Sequence, residues 1–207
     1  MNATATLQCR CGEVKGTMTN ASRRTVNRVL CYCDDCQAFA HHLRRADLLD
    51  RQGGTDIVQV APQSLTLERG RQHIAGVRLT PKGLYRWHST CCNTPLGNTV
   101  SPAIPFVGIV AQSFEHGGQR ADVLFDKPVG AILGQYAIGG APSGSAGMPI
   151  RIIARVFLKV VGWRTLGRTW PHPFFDRATR APIYPVTVLA KEQRDALRPL
   201  CGPHPSA

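Results

Sequence analysis

At 207 residues the chain is long enough for one sizeable core, or for a domain of about a hundred residues with an extension. Hydrophobic residues make up an ordinary 43%, and Met1-Asn2-Ala3-Thr4-Ala5-Thr6 has neither the basic start nor the apolar run of a secretion signal, so the expected compartment is the cytoplasm. A net charge of +12 favours an anionic partner: nucleic acid, an acidic membrane surface or an acidic small molecule. With no block of five or more like charges and 7% aromatics, nucleic acid is the least favoured of the three.

Thr6-Leu7-Gln8 and the stretch from Glu13 to Thr19 read as two strands joined by the turn Cys9-Arg10-Cys11-Gly12. Thr25 to Leu30 reads as a strand ending at Cys31, after which Asp34 or Asp35 caps a short helix running from Cys36 to His42. Strands are expected at 57–60, 64–68, 74–79 and 84–88, separated by Pro62, Gly70 and the turn Pro81-Lys82-Gly83. The apolar run from Ile104 to Val110 is suited to burial. The small-residue loop from Gly139 to Gly147 reads as a hinge, dividing a β domain at 1–138 (motif core about 5–100) from a mostly helical extension at 148–207.

Between Pro149 and Leu166, Ile152, Ile153, Val156, Phe157, Val160 and Val161 fall at helical spacing, with Arg151, Arg155 and Lys159 on the other side. Such a helix is too short and too charged to cross a bilayer. It suits packing on its own domain or a partner, and its basic face with Trp163 and Trp170 also suits an in-plane membrane helix. A last helix is expected at Leu189–Leu197, followed by a frayed tail from Cys201.

Seven of the eight cysteines lie between Cys9 and Cys92 in tight groups, and outside a secreted protein such groups read as metal ligands rather than disulfides. Closely spaced thiolates supply corners of the tetrahedral shell that zinc prefers. Cys9-Arg10-Cys11-Gly12 offers two, Cys31-Tyr32-Cys33-Asp34-Asp35-Cys36 offers three, and Cys91-Cys92-Asn93-Thr94-Pro95-Leu96 follows the strand containing Trp87.

This order, C-x-C-G, then C-x-C-x-D-C opening a helix, then a cysteine before x-T-P-L, resembles the glutathione-dependent formaldehyde-activating enzyme family, which includes centromere protein V. The resemblance covers roughly residues 5–100. It implies a mainly β fold, a zinc-binding β-tent of short antiparallel strands, here with a helical C-terminal extension. It also implies one structural zinc, matched by Cys9, Cys11 and Cys92, a second zinc on Cys31, Cys33 and Cys36, and carbon-sulfur lyase chemistry on glutathione-type thiol adducts. The family's usual C-x-x-C before T-P-L has Ser89 at its first position here, so the fourth structural corner falls to Cys91, His88 or water, with Cys91 favoured.

A three-cysteine site leaves one position for a substrate thiol, and Asp34, Asp35, His41 and His42 lie near it in sequence. The competing expectation is a zinc-stabilised interaction module that binds an acidic partner and catalyses nothing.

Overall fold

Short alternating or β-branched runs, punctuated by glycine and proline, fold as strands in a computed structural model that describes residues 3–145 and 147–203. In chain order the strands are β1 (Ala5–Gln8), β2 (Lys15–Met18), β3 (Asn27–Cys31), β4 (Thr55–Val60), β5 (Leu65–Arg69), β6 (Ile74–Arg78), β7 (Tyr85–Ser89), β8 (Pro95–Thr99), β9 (Val107–Val110), β10 (Ala131–Ile132) and β11 (Val186–Val188). The α-helices are α1 (Asp34–His42), α2 (Gln112–His116), α3 (Ala121–Phe125), α4 (Ile150–Thr165) and α5 (Lys191–Leu197).

The fold is mainly β. One sheet has the order β1-β2-β5 and the other the order β10-β3-β4-β9-β8-β7-β6-β11. The strands expected in the first half are present with shifted ends, and the apolar run after Ile104 supplies the fully buried β9. The antiparallel expectation needs correcting at both ends of the larger sheet, where β10 runs parallel to β3 and β11 parallel to β6. These strands are two and three residues long, too short to carry any period in the sequence.

The larger core forms around Trp87 of β7, which is 0% exposed. Its ring stacks on Phe174 at a centroid distance of 4.8 Å and on Tyr85 at 5.8 Å, while Phe175 and Tyr184 meet it edge-on. Residues far along the chain thus complete the core of the N-terminal strands.

Helix α1 lies across the larger sheet, with Cys36, Phe39 and Ala40 facing residues of β4, β7, β8 and β9 around a small cavity. Its cap differs from expectation. Neither Asp34 nor Asp35 caps it: the N-cap is Cys33, whose Sγ accepts the Cys36 N–H at 3.3 Å, while Asp34 and Asp35 occupy the first turn beside the helix dipole's positive end. The C-terminal tail is also better anchored than expected as far as Gly202. Arg198 pairs with Asp34, and the Gly202 N–H donates to Gln37 Oε1 at 2.8 Å; residues 204–207 of the expected frayed tail lie outside the described residues.

Helix α4 turns an unexpected face inward. Ile152 and Trp163 are its buried residues, with Val156 and Lys159 half-buried between them, whereas Ile153, Phe157 and Val161 are exposed. Trp163 sets this orientation together with polar anchors: Arg155 Nε donates to Asn27 Oδ1 at 2.7 Å, Lys159 Nζ to the Arg24 carbonyl at 2.6 Å and Arg164 to the Ala103 carbonyl at 2.8 Å. The loop expected to act as a hinge is partly tied down, since Leu133 N donates to Gly147 O and Gly134 N to Ser145 O. No described helix is long and apolar enough to cross a membrane.

Truncating a buried phenylalanine in such a core costs about 3–5 kcal/mol. Phe174→Ala is therefore expected to lower the urea midpoint of the whole chain in one transition. A separate early transition, with the remaining signal unmoved, would show that this aromatic stack does not join the two parts of the sequence.

Candidate metal centres

The turn after β1 and the turn after β7 bring four thiols together. Gly12, at a φ of 82°, lets the first turn close with its N–H on the Cys9 carbonyl at 3.0 Å, and Asn93, at a φ of 53°, reverses the second just after Cys92. The ligand atoms of Cys9, Cys11, Cys91 and Cys92 all lie within 4.8 Å of one another. Sulfur–sulfur separations are 3.6 Å for Cys9–Cys11, 3.9 Å for Cys9–Cys91, 3.3 Å for Cys11–Cys91 and 3.9 Å for Cys91–Cys92. Four thiolates held about 2.3 Å from a central ion at tetrahedral corners need edges of about 3.8 Å, so this donor set fits a tetrahedral metal.

Ser89 stands beside this group as a supporting residue. Its Oγ accepts the Thr94 N–H at 3.0 Å, leaving its own proton for Cys92 Sγ at 3.3 Å. Thr94 Oγ1 accepts from Arg10 N at 3.0 Å and from the buried Arg45 guanidinium at 3.1 Å, which directs its proton to Cys92 Sγ at 3.2 Å. Burial works against a Cys92 thiolate, yet the hydrogen bonds from Ser89, Thr94 and Cys11 bring that thiol down to about 6. Burial and the neighbouring sulfurs push Cys91 up to about 12. His88 stays outside the group. Its Nδ1 is buried without a hydrogen-bond partner, and burial together with nearby His42 holds the imidazole down to about 4.

The second group sits where β3 ends and α1 begins. Cys31 and Cys36 are buried, Cys33 is half-buried, and the three sulfurs lie within 4.8 Å of one another with no fourth His, Cys, Asp or Glu joining them among the described residues. Arg86 was not foreseen. This guanidinium, on β7, is 2% exposed and reaches Cys36 Sγ at 3.8 Å and the Asp35 carboxylate at 3.5 Å, while lying 5.5 Å over the Phe39 ring. Hydrogen bonds from Cys31 and Cys33 hold the Cys36 thiol well below its ordinary range, and Arg86 adds to this against the cost of burial. Three thiolates around a divalent ion would leave one net negative charge, beside which stands the buried Arg86 cation that Cys36 shares with Asp35. The sequence signal for it was a lone arginine inside the aromatic run Leu84-Tyr85-Arg86-Trp87-His88.

Arg86, Cys36, Phe39, Thr55 and Asn98 are among the residues around a cavity of about 20 Å³, room for roughly one water. Arg86 Nε and Thr55 Oγ1 are buried there without hydrogen-bond partners. On the other side, Ile132 of β10 and Ile152 of α4 pack in the same apolar cluster as Cys31 and Cys36. Of the residues near the group in sequence, Asp34 is engaged with Arg198 and Asp35 with Arg86. His41 and His42 are half-buried at the far end of α1, where burial lowers His42. Cys201, the eighth cysteine, points at the Asp34 carbonyl at 3.6 Å instead of joining either group.

Fold and sites define a mainly β protein with two cysteine clusters able to hold a metal ion. The chain belongs to the family described as a family of unknown function (DUF6151), which matches residues 1–184. No curated protein matches it. Among solved structures it is similar to a Rhodobacter sphaeroides protein at 14% identity and a TM-score of 0.40, over 62% of this chain and 99% of that one, a likeness too distant to carry an argument.

Because metal binds the deprotonated thiols, removing a donor that lowers the Cys92 thiol should make the metal easier to displace by acid. A hydrogen bond to a charged acceptor is worth about 1.5–3 kcal/mol, or about one to two pH units. Ser89→Ala is expected to release metal from the four-cysteine group at higher pH than wild type, by up to that amount, in a chelator-indicator titration. An unchanged release curve would mean that Ser89 does not support the ligand.

Proposed function

We propose that the chain is a zinc protein with carbon-sulfur lyase-like activity on thiol adducts of the glutathione type. The observation that carries this reading is the unequal pair of clusters: four thiols converge in one and only three in the other, and in the three-thiol group a buried guanidinium, Arg86, reaches a cysteine sulfur directly. All-sulfur donor sets favour zinc over hard cations, and a shell of three protein ligands is the usual form of a catalytic zinc, whereas four is the usual form of a structural one. The motif resemblance to the glutathione-dependent formaldehyde-activating enzymes supplies the reaction class. The eight free thiols suit a reducing compartment such as the cytoplasm.

On this reading Cys9, Cys11, Cys91 and Cys92 hold a structural ion, and Cys31, Cys33 and Cys36 hold the working one. Zinc at the three-cysteine site would supply a centre that favours the thiolate form of an incoming thiol. The chain's own contribution is electrostatic and steric. Arg86 offsets the charge that three cysteines concentrate at one place. Phe39, Ile57 and Val110 confine the Cys36 side to a cavity with room for roughly one water, and so little solvent screens that interaction only weakly. In the reaction a thiol adds to a carbonyl carbon: the carbon–sulfur bond forms, the carbon–oxygen double bond becomes single, and the proton that leaves sulfur ends on oxygen. The lyase direction reverses each change.

A second reading draws on the tight cover over the same group. With Cys31 and Cys36 buried beneath Ile132 and Ile152, both ions could be structural, in a non-catalytic module that meets an acidic partner through its positive charge.

Zinc content and thiol–aldehyde exchange separate the two. Wild type is expected to contain about two zincs per chain and to accelerate exchange between glutathione and formaldehyde in NMR line-shape measurements, and Cys33→Ala to retain about one zinc and lose the acceleration. Two zincs without acceleration would favour the interaction module; absence of zinc would end both readings.

A further inference from the structure

Helix α4 presents solvent with its apolar side. Ile150 is 76% exposed, Phe157 64% and Leu158 68%, and Ile153 and Val161 extend the strip along the helix. Sixteen residues make a rod about 24 Å long, so the strip covers several helical turns rather than a single protruding side chain. Isolated exposed apolar residues are ordinary, but a continuous helical face of this kind marks an interaction surface.

The flanks of the strip carry one sign of charge. From Lys127 through Phe175 the sequence holds six lysines and arginines, Lys127, Arg151, Arg155, Lys159, Arg164 and Arg168, and no aspartate or glutamate. Arg155, Lys159 and Arg164 are fixed at their heads by an amide oxygen and two backbone carbonyls, which position the cations without neutralising them. None of the residues of α4 forms a salt bridge among the described residues. A second copy laid on this face would bring arginine against arginine across a low-dielectric contact, with no acid on the helix to pair them.

We infer that α4 is an in-plane anchor that seats the protein on an anionic lipid surface. The apolar strip enters the boundary between headgroups and acyl chains, and the cations, displaced towards the protein body, lie at the level of the lipid phosphates. The inward turn of Trp163 and Ile152 makes this orientation possible, because it leaves the strip facing out while the helix stays bonded to β3 through Asn27. The anchor is independent of any chemistry at the cysteines.

The test uses the full metal-loaded chain in flotation with vesicles of phosphatidylcholine alone and of phosphatidylcholine mixed with phosphatidylglycerol. Wild type is expected to float with the mixed vesicles, less so at high salt, and to remain in the buffer with phosphatidylcholine alone. The double substitution Phe157→Glu and Leu158→Glu, at exposed positions, is expected to reduce binding about tenfold or more with metal content and circular dichroism unchanged. Arg151→Glu should weaken binding to the mixed vesicles. The inference is overturned if wild type ignores the mixed vesicles, if the double variant floats as well as wild type, or if sedimentation shows a dimer that the double variant abolishes, since the strip would then be covered by a second copy.

Discussion

The alternation of side chains along β7 is the constraint on which the rest of the structure depends. In a strand, neighbours point to opposite faces, so five residues can serve two sides of a sheet at once. Arg86 faces α1 and the three-cysteine group, Trp87 faces the aromatic core built with Phe174 and Phe175, and Ser89 ends the strand against Cys92. A register slip of one residue would put the guanidinium in the aromatic core and the indole beneath the cysteines, failing on both faces together. The irregularity between Trp87 and His88 on the β8 side sits at the point where the strand passes from one cluster to the other.

Helix α1 links the same two clusters from above. It begins with Cys33 and Cys36 at one group, and just past its end the buried Arg45 donates to Thr94, which in turn faces Cys92 in the other. Nine residues of helix thus place a thiol on one site and a supporting cation near the other. The two sheets share one apolar core, and the four-cysteine group adds a second tie: Cys9 and Cys11 follow a strand of the smaller sheet, Cys91 and Cys92 a strand of the larger, and an ion among their sulfurs would fasten one to the other. Both clusters rely on a buried arginine, and a buried arginine is tolerable only where anions or oxygen acceptors surround it. Arg45 meets this condition through Asp47 and Thr94, and Arg86 through Asp35 and Cys36.

The cysteines were legible in the sequence because each hook is local: two or three thiols within six residues on a turn need no knowledge of the fold to be recognised. Joining Cys9 and Cys11 to Cys91 and Cys92, across eighty residues, depended on motif order, which spacing alone does not provide. Arg86 was not legible, since a strand arginine reads as solvated until the element covering it is known. Ser89 was seen as a ligand lost, whereas its hydroxyl still serves the metal group through Cys92. On α4 the period was right and the face wrong: periodicity reports that two sides differ, and which side turns inward was decided by Trp163 and by acceptors on Asn27, Arg24 and Ala103 that no local pattern reveals.

Access to the three-cysteine group follows from what covers each sulfur. The Cys36 side opens only on the small cavity beneath α1, which has no room for a peptide-sized thiol. The Cys31 side is closed by Ile132 and Ile152. Cys33, half-buried as the N-cap of α1, is the least covered of the three, and Asp34, paired with Arg198, stands next to it in the chain. Arg86, which meets Cys36 and Asp35 beneath the helix, acts on the cluster from its buried side, where screening by water is weakest.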